Sequence, residues 1–348
     1  MSLFLEAEKI RTDRANQGLE DGLSPHGPMN PVWAGFGLLI LCVLAFLVGM
    51  MLHRTHKRGT QPSRGPELWL IFPDTGDGDS MLARDPATDH TVLIDSGGSA
   101  QAAQQILACA RQNGITHLDG ILLLSTRNSS IVGLPYLIGQ IPIDGPVLLP
   151  ADPNALAHHG GEAARTAMNA LTSQKLRVWK YSRAPVRLET LFGEDSLAHV
   201  QFLVVPPPSG PTDLDSALAL RIDYGADSAL YTAALEPSEE NRLVASDADD
   251  LSCDVLAVAD GGSAQAASSE FLALAAPRVA TITNSAEHPP ADDTLARLQA
   301  AGVAVGQTHL LSNIKLRMGH FSEEPILWSS SLPPSNPQTP APQAASSP

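Results

Sequence analysis

Cysteine is nearly absent. The 348-residue chain holds three, Cys42, Cys109 and Cys253, and none stands at a C-x-x-C or other metal-ligand spacing. A disulfide framework and a thiolate metal site are therefore not implied, and these residues read as small apolar core positions. Aromatic residues make up only 5% of a chain that is 43% hydrophobic, so the core must be aliphatic and alanine-rich, with enough apolar material for one or two domains. Basic residues are the third shortage. Beyond residue 64 the chain carries 15 basic against 32 acidic residues. Such a surface repels polyanions, so net charge does not favour nucleic acid as a partner unless a local basic patch overrides it. The one dense basic segment there, Lys175, Arg177, Lys180, Arg183 and Arg187, reads as a solvated strand edge, with an anion site as the alternative.

What is present begins with an uncharged run of 21 residues, Val32–Leu52. As a helix rising about 1.5 Å per residue it spans the hydrocarbon core of a bilayer. It follows a 31-residue polar arm, whereas a secretory signal peptide starts near residue 1 with a shorter apolar core. Arg54, Lys57, Arg58 and Arg64 follow the span and only Arg14 lies in the twenty residues before it, so the positive-inside rule directs the C-terminal bulk to the cytoplasm. The expected organisation is a flexible arm over 1–31, a single transmembrane helix over 32–52, a basic linker over 53–66 that suits anionic headgroups, a folded domain over 67–328, and a Pro/Ser/Ala-rich disordered tail over 329–348.

Within the domain, strand and helix signals alternate. Leu68–Phe72, Met81–Arg84 and Thr91–Ile94 read as strands. Ala100–Asn113 has helical spacing and stops at Gly114, and Gly120–Leu124 is a buried strand. Pro146–Pro150, a helix over Gly161–Thr172, and Leu176–Tyr181 follow. Ala217–Asp223 and Ala229–Thr232 pair around a turn, then come a helix over Glu236–Ala245, strands at Asp254–Val258 and Arg278–Thr283, and helices over Ser268–Ala275 and Asp292–Ala301. This order predicts an α/β domain.

Three blocks carry a resemblance. Phe72–Ser80 (FPDTGDGDS) with Leu93–Gly98 (LIDSGG), then Leu230–Leu235 (LYTAAL) with Val258–Ser263 (VADGGS), then Glu287–Pro290 (EHPP), resemble in order the metallo-β-lactamase superfamily and within it the ComEC group of DNA-uptake proteins, over about Glu67 to Met318. The resemblance implies an αββα sandwich. It also implies a strand-end loop whose histidines and aspartate hold two zinc or manganese ions, which need imidazole nitrogen and carboxylate oxygen converging within about 2.2 Å. In this chain that loop is Thr126, Arg127, Asn128, Ser129 and Ser130, the bridging aspartate is Ala234, and the paired histidines are Asp260 and Gly261. Arg127 brings a cation to the metal position. The remaining ligand candidates are Asp79, Asp260 and His288. Asp95 reads as a turn-former, and the adjacent His158 and His159 cannot share one helical face.

The expectation is a membrane-anchored pseudoenzyme of this fold, without a cofactor, acting as a binding or scaffolding module for a protein partner. Two alternatives remain: a divergent zinc- or manganese-dependent phosphodiesterase or nuclease using Asp79, Asp260 and His288, and a DNA-uptake accessory.

Overall fold

The computed structural model describes residues 66–181, 191–192, 196–205, 217–247, 250–319 and 328–329. The arm, the Val32–Leu52 run, the linker up to residue 65, Arg183, Arg187 and the tail from residue 330 lie outside the described residues. Among the described residues no helix is long and apolar enough to cross a membrane.

Among the described residues fourteen strands form two sheets. In the first, β1 (Leu68–Phe72) is central to an antiparallel meander with β2 (Met81–Asp85), β3 (His90–Ile94), β13 (Ile314–Met318) and β14 (Trp328–Ser329), and β4 (Gly120–Leu122), β5 (Val147–Leu149) and β6 (Val178–Lys180) continue in parallel from β3. In the second, β7 (Ala198–Val204), β8 (Leu218–Tyr224) and β9 (Asp227–Tyr231) are antiparallel, and β10 (Val255–Ala257), β11 (Val279–Ile282) and β12 (Ala304–Gln307) extend β9 in parallel. The inner parallel strands β4, β5, β10 and β11 are buried on both faces and read as near-continuous apolar runs such as VLL, VLA and VATI, whereas the edge strands β6 and β12 are partly exposed.

Three cores separate four layers. Leu70, Phe72, Leu122, Leu220, Tyr231 and Val255 fill the space between the sheets. Ile71, Leu93 and Ile121 face α1 (Ala100–Gln112) and α5 (Glu162–Ser173). Leu230, Leu256 and Ile282 face α6 (Pro237–Asp247), α7 (Ser269–Ala275) and α8 (Asp292–Ala300). The αββα expectation is met.

The helices follow local chemistry. The Ser99 side chain accepts from Ala102 N at the start of α1, and Ile106, Leu107, Cys109 and Ala110 are buried along one face. Ser99→Ala is expected to cost about 1 kcal/mol, read as a small drop in the thermal midpoint of the full chain. Glu240 of α6, fully buried, accepts from Ala267 N and Ser268 N. Burial raises its carboxyl, and those two bonds oppose the rise.

Several elements have no counterpart in the sequence reading. The helix α4 (Pro153–His159) starts behind Asp152, which accepts from Asn154 N and Ala155 N, a cap whose Asp-Pro signature was present. Single turns α2 (Asn128–Ile131), α3 (Leu134–Leu137) and α9 (Thr308–Leu311) are too short to show periodicity. β13 alternates as IKLRM, but its pairing with β1 is a contact across more than 240 residues.

Candidate functional site

The turns after β3, β4, β9, β10 and β11 meet along one edge of the sandwich. After β3, Asp95 takes a left-handed conformation at φ 52°. Its backbone N–H donates to Leu122 O and its Oδ1 accepts from Leu124 N at 2.8 Å, so the side chain locks the end of β4 to the end of β3 as expected of a turn-former. Ser96 N and Oγ both donate to Ser130 O, at 2.8 and 2.7 Å. Gly133 lies so close beneath that a Cβ would stand 1.8 Å from Ser96 O, which no side chain permits. The loop Thr126–Ser130 is therefore pinned at its buried Ser130 end as it enters α2, while Asn128 faces solvent.

Arg127 dominates this loop. Its Nη1 donates to Ala234 O at 2.7 Å, its Nη2 to Glu239 Oε1 at 2.5 Å, and its Nε stands 3.4 Å from Glu236 Oε1. A loop of the first sheet is thus tied to the turn after β9 and to the first turn of α6 in the second. Glu239 is buried and its other oxygen accepts from Glu236 N at 2.8 Å, so the carboxylate that holds Arg127 also caps α6. Glu239 had no place in the sequence reading. Its position three residues after Glu236, at the entry to a helix, was the available signal.

Asp79 sits behind this pair, buried, with its N–H donating to Ser129 O. Burial pushes its carboxyl up to about 7, with the nearby Asp260 charge adding to the rise, while a hydrogen bond with Ser129 and the Arg127 charge oppose it. Asp95 is raised well above the carboxylate range by burial and by Asp79. Tyr231, buried between the sheets, is raised well above its usual value by burial and by the same two carboxyls. The hydroxyls of Tyr231 and Ser130 favour an ionised Asp95, yet Asp95 Oδ2, Ser130 Oγ and Tyr231 Oη each lack a close hydrogen bond. These buried atoms form a polar knot held by proximity rather than by good geometry.

The three ligand candidates do not converge. Asp79 and Asp260 are electrostatic neighbours, and Asp260 occupies a left-handed turn at φ 48° with its N–H directed at Ala233 O. His288 is mostly exposed and its Nδ1 lies 2.6 Å from Asp77 Oδ2. Asp77 was not among the expected site residues.

No family model matches the chain. It is 26% identical over 291 residues to ComE operon protein 3 of Bacillus subtilis (strain 168), an alignment covering 76% of this chain and 35% of that protein, so the chain spans about a third of its relative's length. Among solved structures, the metallo-β-lactamase fold protein YhfI from Bacillus subtilis is 14% identical, covers 70% of this chain and 96% of its own, and has a TM-score of 0.41. The described residues form an α/β sandwich of two mixed sheets, and YhfI is what that sandwich is similar to. Zn(2+)-bound PqqB from Methylobacterium extorquens (14% identical, 66% and 85% covered, TM-score 0.39) and CmlA, a diiron β-hydroxylase from Streptomyces venezuelae (15%, 73% and 54%, TM-score 0.43), are also similar.

These relatives correct the expectation that such a domain takes no cofactor, because proteins of this likeness are named for bound zinc and for a diiron centre. The donors at the implied positions do not fit such a centre. The residues there are one buried carboxyl that favours its proton, one carboxylate on a turn, an exposed His288 whose Nδ1 is engaged by Asp77, and a guanidinium already bonded to Glu239. Among the described residues no three His, Cys, Asp or Glu side chains are placed to hold a metal ion. A metal here would need a different set of side chains from the one the resemblance implies.

Proposed function

We propose that this protein is a membrane-anchored, non-catalytic component of a DNA-uptake-type assembly, with its metallo-β-lactamase-like domain serving as a protein-binding module. The observation that carries the reading is the Arg127 latch: the loop that would deliver reactive groups instead delivers a guanidinium, spent on Ala234 O and Glu239. The likeness to ComE operon protein 3 supports the competence setting, and the Val32–Leu52 run with its basic C-terminal flank supports a single-pass anchor with the domain on the cytoplasmic side. An open cleft of about 630 Å³ at the turns after β1 and β11 is lined by Asp74, Asp77, Gln101, Gln105, Glu287 and His309. Its carboxylates suit a neutral or basic protein segment better than a nucleic acid.

The test is turnover of a phosphodiester such as bis(p-nitrophenyl) phosphate by the purified full chain with added zinc or manganese. The expected rate equals that of the metal alone. Turnover that Asp79→Asn abolishes would overturn the non-catalytic reading in favour of a divergent phosphodiesterase. Retention of the chain in the membrane after alkaline extraction is expected, and its release would overturn the anchor.

A further inference from the structure

The helix-facing side of the first sheet carries a row of side chains that the site does not use. Trp69 of β1 stands opposite Arg317 of β13 on one side and Arg84 of β2 on the other, so the three project from one face of the sheet. Lys315, two residues before Arg317, shares that face. Its Nζ lies 3.0 Å from the Trp69 ring centroid, and the Arg84 guanidinium carbon lies 5.7 Å from the same ring. The groups around the amine are Arg84, Arg317 and Glu67, with the buried Cys109 of α1 and the amide of Asn113 just past the end of α1.

The carboxylates go to the arginines. Asp89 pairs with Arg84 Nη2 at 2.7 Å while Arg84 Nη1 donates to Asn113 O, and Glu67 stands 4.0 Å from Arg317 Nε while its other oxygen accepts from Trp69 Nε1. Among the described residues the partners of Lys315 are the Trp69 ring and the neutral Asn113 Oδ1 at 3.4 Å. Arg84 Nε is buried with no hydrogen-bond partner, an unmet donor beside the amine.

We propose that Lys315 is an acylation site whose donor is an acyl phosphate, drawn to the site by the positive charge of Arg84 and Arg317 while Lys315 Nζ attacks the carbonyl carbon. The nitrogen lone pair forms the C–N bond and the C–O bond to phosphorus-bound oxygen breaks. Inorganic phosphate leaves with that electron pair, and the proton shed by the amine passes to phosphate or water. The product is a neutral amide, which removes the cation from the Trp69 face.

Two features favour this lysine over other nucleophiles. Burial, then the Arg317 and Arg84 charges against the opposing Glu67, bring its amine down to about 8. Its neutral fraction at neutral pH thereby exceeds that of an ordinary lysine on the order of a hundredfold. The nearby Cys109 thiol is pushed up to about 12 by burial, so it stays protonated and does not compete.

The test exposes the full chain to acetyl phosphate near neutral pH and follows acetylation of each lysine by peptide mass spectrometry. Lys315 is expected to react at least about tenfold faster than the exposed Lys175 and Lys180, and Arg84→Gln should slow Lys315 alone. An uncharged thioester, N,S-diacetylcysteamine, should show a smaller preference for Lys315. A rate at Lys315 no greater than at Lys175 and Lys180 overturns the site. An undiminished preference with the uncharged thioester overturns the acyl phosphate as donor.

Discussion

Asp79→Asn is expected to stabilise the protein above neutral pH and to flatten its dependence on pH. The wild-type carboxyl is raised from 3.8 to about 7 in the folded state. Between those values the unfolded chain has released the proton while the folded chain still holds it, so stability falls as pH rises through this window and levels off beyond the folded value. The group is buried, so solvent screening does little to soften the effect. Three units at about 1.4 kcal/mol each give a loss on the order of 4 kcal/mol over the whole window, of which about 3 kcal/mol falls between about pH 5 and about pH 8. Asn is nearly isosteric and never ionises. Denaturant unfolding of the full chain at those two values checks this. An unchanged pH slope in Asp79→Asn would show that the carboxyl titrates normally.

Arg127→Ala is the second large effect. It leaves Glu239, with 6% of its side chain exposed, as a buried carboxylate whose remaining cation is Arg242 at 3.7 Å. Removing one member of a buried pair typically costs about 3–5 kcal/mol. Because Arg127 is itself 30% exposed, the expected loss is about 2–3 kcal/mol. The same change removes a charge that lowers the Asp79 pKa, so the fall in stability with pH should extend to higher pH. Arg127→Lys keeps the charge but not the fork that reaches Ala234 O and Glu239 together, and an intermediate loss is expected. A midpoint unchanged in Arg127→Ala would remove the latch from the account of this site.

Much of the frame was legible because its signals are local. Burial on both faces makes VLA and VATI near-continuous apolar runs, and Ser99 before an apolar stripe ending at Gly114 marks α1 at both ends. The substituted ligand positions were also legible, since Arg127, Ala234 and Asp260 stand within blocks whose order is recognisable. The partners of these residues were not. Glu239 follows Arg127 by 112 residues and Asp77 precedes His288 by 211, and no periodicity relates such pairs. The acidic composition likewise hid the row Arg84, Trp69, Arg317 and Lys315, because its members come from three strands assembled across the whole domain.

The sequence by itself determined the α/β class, the aliphatic core, the acidic surface and the absence of the implied histidines from the loop after β4, because residue type and short-range spacing suffice for each. Only the tertiary structure decided where the charges go. It turned Arg127 into an ion-paired latch, raised Asp79 and Asp95 by burying them beside each other, and left His288 with Asp77 at the rim. Those outcomes depend on burial and on distances between turns far apart in the chain, and both arise only when the two sheets close on each other.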